Sequence, residues 1–296
     1  MIGVKACREH GSDALLDYSA AISEGVPYAQ GDVVRSFIKG ITENPEFGVI
    51  ITADCDIVQS KASERLTYVQ VVSPLFYLEQ VWIPDQLNKF LKKQGPLAAE
   101  GISAVARRAG LPFQLNADEI VEWLALKPVA EIAKLITHND APLEKRLVQT
   151  LEGLRCVADT SAVLNPLMRW RMLRSIMGDT EDRQKSDLAA ALYGGGGFSD
   201  SFLLPELPGV DGIGYVALLR FIRTVHSSDI YSSELQARIE GRPDALHRVG
   251  RLSDNIRFSI AQKMAFLFSR IGLPSNFEDN CRSAASLSVE HIISGV

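Results

Sequence analysis

The sequence has little cysteine: Cys7, Cys55, Cys156 and Cys281 are scattered over 296 residues, and no two form a C-x-x-C pair. That excludes a disulfide framework and the usual zinc spacings, and makes a reducing cytoplasm the expected compartment. Long apolar runs are missing too. Ile213–Leu219 is interrupted at Arg220, so no segment reads as membrane-spanning. The N-terminal stretch MIGVKACREHGSDALLDY carries charges where a signal peptide needs an apolar core. Positive charge is short as well, 31 basic against 36 acidic residues, for a formal charge of −5. A generic nucleic-acid binder neutralises phosphates with Lys and Arg, so this balance argues against one while leaving room for a local basic groove. What is present is ordinary globular composition, 46% hydrophobic and 23% charged, which excludes disorder. The length suffices for one large domain or two ordinary ones.

The organising stretch is Gln30–Trp82. Three apolar, β-branched runs, Val33–Ile38, Phe47–Thr52 and Leu66–Val72, are separated by breakers at Gly40–Pro45 and Asp54–Ser63. Val33-Arg35-Phe37 and Tyr68-Gln70-Val72 have the period-two spacing of strands. So small a set of strands needs further strands or a helix to cover it. Ser201–Leu204 and Tyr215–Val225 are the expected partners, far downstream.

Before the first run, residues 11–24 suit a short helix capped by Ser12, with Leu15, Leu16 and Ile22 on one side. From Pro84 to about Tyr193 the text is helical, with six or seven helices expected. Asn116 with Glu119 spells a capping box, Pro128 and Pro142 fit first turns, and Gly95, Gly110 and Gly178 fit helix stops. The four glycines Gly194–Gly197 follow a helix and precede a strand, the reverse of a phosphate-cradling loop, and read as a hinge. A last helix is expected from Ser253 to Ile271, with Ile256, Ile260, Met264, Leu267 and Ile271 as one apolar stripe. The expected fold class is α+β. A small β-barrel spans residues 1–83 and 194–296, an all-helical insertion occupies 84–193, and the C-terminal helix packs on the barrel.

Three places resemble the MazF/PemK family of small-barrel toxin endoribonucleases. They are GDVV at Gly31–Val34, FGVIIT at Phe47–Thr52 with YVQVVSP at Tyr68–Pro74, and VALLRFIRTV at Val216–Val225 followed by RVGRLSDNI at Arg248–Ile256. The likeness covers about half the chain and leaves the helical block outside it. It implies a small barrel with an RNA-receiving groove that a protein partner can cover. It also implies a hydroxyl residue after the third strand, here Ser73, and an arginine before the second. That loop instead reads TENPEFG, with Glu46 and Phe47 in the arginine's place. A carboxylate there would repel a scissile phosphate. His226 stands where the family carries an acidic residue.

These residues set the functional expectation. A non-catalytic barrel module should bind a protein partner, with weak RNA binding at most, in a bacterial stress or defence setting; a homodimer is left open. Its groove should be lined by Arg35, Asp54, Asp56, Arg220 and Arg223. The alternatives are an endoribonuclease using Ser73 and Arg223, and a DNA-binding regulator using the helical block. Asp54 and Asp56, two apart at a strand end, would share a face and could hold a divalent ion, with Cys55 pointing away. The plainer reading makes Cys55 a core residue and the aspartates turn formers, and no metal or cofactor is expected. Arg169, Arg171 and Arg174 around Trp170 suit a solvated face beside a buried indole better than a nucleic-acid patch. Ile102–Pro112 is similar to the start of a helix-turn-helix, but the next helix, near Ala117, begins too late for that motif's turn.

Overall fold

The computed structural model describes residues 19–20, 25–36, 47–59, 61, 64–111, 113–137, 142–159, 164–193, 200–212, 214–242, 245–269 and 284. Among them eight strands join in one sheet: β1 (Ser19–Ala20), β2 (Asp32–Ser36), β3 (Phe47–Ile50), β4 (Arg65–Val72), β5 (Ser201–Leu204), β6 (Tyr215–His226), β7 (Ile230–Tyr231) and β8 (Leu246–Leu252). The order is β1-β8-β2-β3-β4-β6-β5, with β7 parallel to β8 and every other pair antiparallel. The strands near Val33, Ile50 and Val71 therefore do share a sheet with those near Leu203 and Leu218. The hydrogen-bonded ladder among the described residues runs open from β1 to β5, where closure into a barrel was expected. What brings its two ends together is a loop contact: the Pro208 ring lies over Gly250 of β8 so closely that a Cβ there would fall 2.4 Å from it.

The period-two pattern gives the sheet two apolar faces, and each is covered by helix. On one, Val33, Phe47, Val49, Val69, Val71, Ala217 and Leu219 wrap around Ile260, Met264 and Leu267 of α10 (Asp254–Phe268). Full burial of three such side chains contributes about 1.5–3 kcal/mol each. On the other, Val72, Val216 and Leu218 pack against Tyr77, Leu78, Ile83 and Trp170 of the helical block. The helices at 84–193 are thus seated on the sheet itself. The Gly194–Gly197 hinge lies outside the described residues, as do most of the expected helix at 11–24 and Ile271; Ser19–Ala20, inside that expected helix, is strand β1.

Helix begins earlier than Pro84. Ser73 caps α2 (Pro74–Tyr77), its Oγ accepting the Phe76 N–H at 3.2 Å, and Pro74 takes the first-turn position where no N–H is needed. A π-helical turn at Leu78–Trp82 then leads into α3 (Ile83–Arg108). Gly95 does not stop α3, and Pro96 sits inside it. A Cβ at Gly95 would come within 3.2 Å of the Ala117 Cβ, so the glycine serves the close approach of α4 (Ala117–Leu126). Asn116 and Glu119 form the expected capping box. Gly110 and Gly178 end their helices at φ 74° and 90°. Pro128 is the cap residue of α5 (Val129–Ile136), and Pro142 lies ahead of α6 (Lys145–Ala158), whose cap is Glu144. The block closes with α7 (Pro166–Ile176) and α8 (Glu181–Tyr193), and a short α9 (Glu234–Ile239) stands between β7 and β8.

Candidate functional site

Strand register builds one concave site. Arg35 lies opposite Phe47, Phe47 opposite Val71, and Val71 opposite Ala217, so this row crosses four strands on the α10-facing side. Ser73 is two residues beyond Val71 and Tyr215 two before Ala217, which continues the row toward the same strand ends. There Arg35, Phe47, Ser73 and Tyr215 line a cavity of about 460 Å³ together with residues 209–212 and Gly214 of the loop that precedes β6. Three glycines of that loop take positive φ, and Tyr215 Oη donates to the Asp211 carbonyl at 3.0 Å.

The Arg35 guanidinium lies over the Phe47 ring, 5.5 Å from its centroid, and the Tyr215 ring meets Phe47 edge-on at 5.6 Å. Arg35 and Asp211 form no ion pair with a described residue, so the cavity presents one cation and one carboxylate. Burial pushes the Tyr215 hydroxyl pKa up and Arg35 opposes it in part, leaving the phenol a protonated donor at neutral pH. Across β2, His247 faces Arg35. Burial, and after it the Arg35 charge, lower its pKa and keep it neutral.

The other expected groove residues lie elsewhere. Arg223 is paired with Tyr68, five residues back along β4 from Ser73. At about 3.4 Å per residue that is roughly 17 Å, so the two side chains proposed for chemistry do not meet. Arg220 is in the β6 bulge, bonded to Asp200 at 2.7 Å. Asp54 and Asp56 follow the opposite end of β3, and they are helical, in α1 (Asp54–Val58). At 100° per residue the two carboxylates diverge, which removes the shared face expected of a strand. Cys55 is exposed and not a core residue. No group of three or more potential ligands among the described residues could hold a metal ion.

Asp54 has a different task. Its Oδ1 accepts the Gln30 N–H at 2.7 Å and its Oδ2 the Arg257 Nη1–H at 2.6 Å. Asp32, fully buried, accepts from Arg251 Nε at 2.5 Å and Arg248 Nη1 at 3.2 Å, and both arginines also bind the Pro27 carbonyl. The phrases GDVV and RVGRLSDNI are therefore joined, with Asp54 at the start of α1, in an electrostatic clamp between β2, α1, β8 and α10.

On α7 the arginines are also engaged. Arg174 pairs with Asp179 at 2.8 Å and with Asp187, Arg171 approaches Glu181, and Trp170 is 2% exposed. Eight residues, 109–116, separate α3 from α4, too many for a helix-turn-helix. Sequence reasoning placed Arg35 and Ser73 but missed Tyr215, Asp211 and the glycine loop. The signal was the spacing of glycines in PGVDGIG, which marks a backbone shaped for close approach. Comparison of the chain with protein-family models, curated proteins and solved structures finds no match.

Proposed function

We propose that this chain is a binding module of MazF/PemK type whose Arg35–Ser73–Tyr215 groove is non-catalytic and receives a protein partner within a bacterial stress or defence system. The observation that carries the reading is the separation of Ser73 from Arg223, with the Ser73 hydroxyl already accepting a helix-capping hydrogen bond. The groove chemistry supports a peptide over a polyanion. Its single arginine is offset by Asp211, and RNA affinity without base readout needs unopposed positive charge. Phe47 and Tyr215 are 3% and 6% exposed, so neither offers a face on which a base could stack.

One observation favours a second reading. Arg35 and Ser73 share a cavity, and a guanidinium beside a hydroxyl is a minimal arrangement for an endoribonuclease. The two readings separate in a cleavage assay on single-stranded RNA. The binding reading expects no cleavage and only weak, strongly salt-sensitive association. Cleavage that survives chelator and is lost in Ser73→Ala or Arg35→Ala would establish the nuclease instead.

A further inference from the structure

Away from the groove, the far end of the β4–β6 ladder carries a hydroxyl, an imidazole and a carboxylate in series. β6 ends at His226, and the chain enters a 3₁₀ turn at Ser227–Asp229. Ser228 Oγ lies 2.7 Å from His226 Nδ1, and His226 Nε2 lies 3.1 Å from Glu64 Oε2. The carboxylate accepts from the Nε2–H tautomer, which leaves the Nδ1 lone pair facing the serine hydroxyl. The Ser228 N–H reaches the same nitrogen at 3.3 Å and keeps the ring against the turn. Glu64 is held by its own backbone: its carbonyl accepts the Ser227 N–H at 2.7 Å. At φ 62° it is the sole non-glycine residue with positive φ among those described. Left-handed backbone at a glutamate is strained, and such strain collects at functional sites. The His226 and Glu64 side chains are 38% and 75% exposed, so small molecules reach the relay directly from solvent.

We propose that Ser228 is an activated nucleophile that takes acyl groups from activated carboxylic esters, with His226 as its base and Glu64 as a positioning residue. The Ser228 oxygen attacks the ester carbonyl carbon while its proton passes to His226 Nδ1. The tetrahedral adduct collapses, the bond to the leaving oxygen breaks, and the imidazolium returns the proton to that oxygen. Water, deprotonated by the same nitrogen, then attacks the acyl carbon; the bond to the Ser228 oxygen breaks, that oxygen takes the proton back from the imidazolium, and the carboxylic acid leaves. Nothing is oxidised or reduced. The open setting selects small donors that are already activated.

The test uses the full chain with p-nitrophenyl acetate, reading phenolate release, intact mass and the acetylated peptide. One acetyl group on Ser228 is expected, at an initial rate about tenfold above that of Ser228→Ala and of His226→Ala. Glu64→Ala should lose part of the rate and Glu64→Asp regain it. All three side chains are on the surface, so the variants should melt with the wild type, which a thermal scan checks. Acetyl groups spread over lysines, or a rate unchanged in Ser228→Ala or His226→Ala, would overturn the assignment. A Glu64→Ala rate equal to that of the wild type would overturn the role given to Glu64.

Discussion

Asp32 ties β2 to β8, because its buried carboxylate answers two guanidinium groups at once. Asp32→Ala would leave the 6%-exposed Arg248 side chain without its counter-charge. Breaking a buried pair from one side costs about 3–5 kcal/mol, and a denaturant midpoint should show the loss. Replacing Asp32, Arg248 and Arg251 together with apolar residues should cost much less, since no charge is then left stranded. His247 sets a pH dependence. Its folded pKa lies below the ordinary 6.5, with burial the main cause and Arg35 the second. The unfolded chain therefore takes up the proton first, so this group's contribution is intact above about pH 6.5 and is lost as pH falls toward the folded pKa. Stability of His247→Gln should fall less steeply below that pH than stability of the wild type, measured by unfolding at a series of pH values.

At the scale of elements, the strands built of apolar, β-branched runs are legible in sequence and β1, β7 and β8 are not. β2 to β6 can be read because apolar residues run together in them, buried throughout in β3 and over the first five residues of β6. β8 could not, because LHRVGRL buries its arginines against Asp32 and so hides a strand behind charge. In sequence α1 reads as the end of a strand, since five residues, Asp54–Val58, are too few for a helical period to emerge. In sequence α3 divides at Gly95-Pro96, where local propensity says stop and packing against Ala117 overrides it. The groove was half legible: Arg35 and Ser73 could be named, but that none of the other four proposed residues, Asp54, Asp56, Arg220 and Arg223, joins them depends on how the strands and α1 assemble, which no single segment encodes. Two substitutions follow. Gly250→Ala sets a Cβ 2.4 Å from Pro208 and 2.6 Å from the Ala20 carbonyl, and should cost about 1–3 kcal/mol in thermal unfolding by parting the sheet's two ends. Pro96→Ala should instead stabilise, by up to about 3 kcal/mol, because it restores an N–H donor inside α3.

Over the whole molecule, one sheet lies between α10 and a helical block, and both covers share its strands. The Val72–Val216–Leu218 contact with Trp170 couples block and sheet, so heating should give one transition followed equally by tryptophan fluorescence and by β-sheet signal. In this arrangement GDVV and RVGRLSDNI hold the clamp at one end of the strands, and the Arg35–Ser73–Tyr215 groove, proposed as the recognition site, lies at the opposite ends. A photoreactive benzoylphenylalanine placed at Asp211, exposed on the groove rim, tests this most directly, with the same residue at Phe221, exposed in the β6 bulge, as comparison. Irradiation in living bacteria should give a discrete protein adduct from position 211, abolished by Arg35→Glu, and none from position 221. RNA adducts alone at position 211, or equal protein adducts from both positions, would contradict the account.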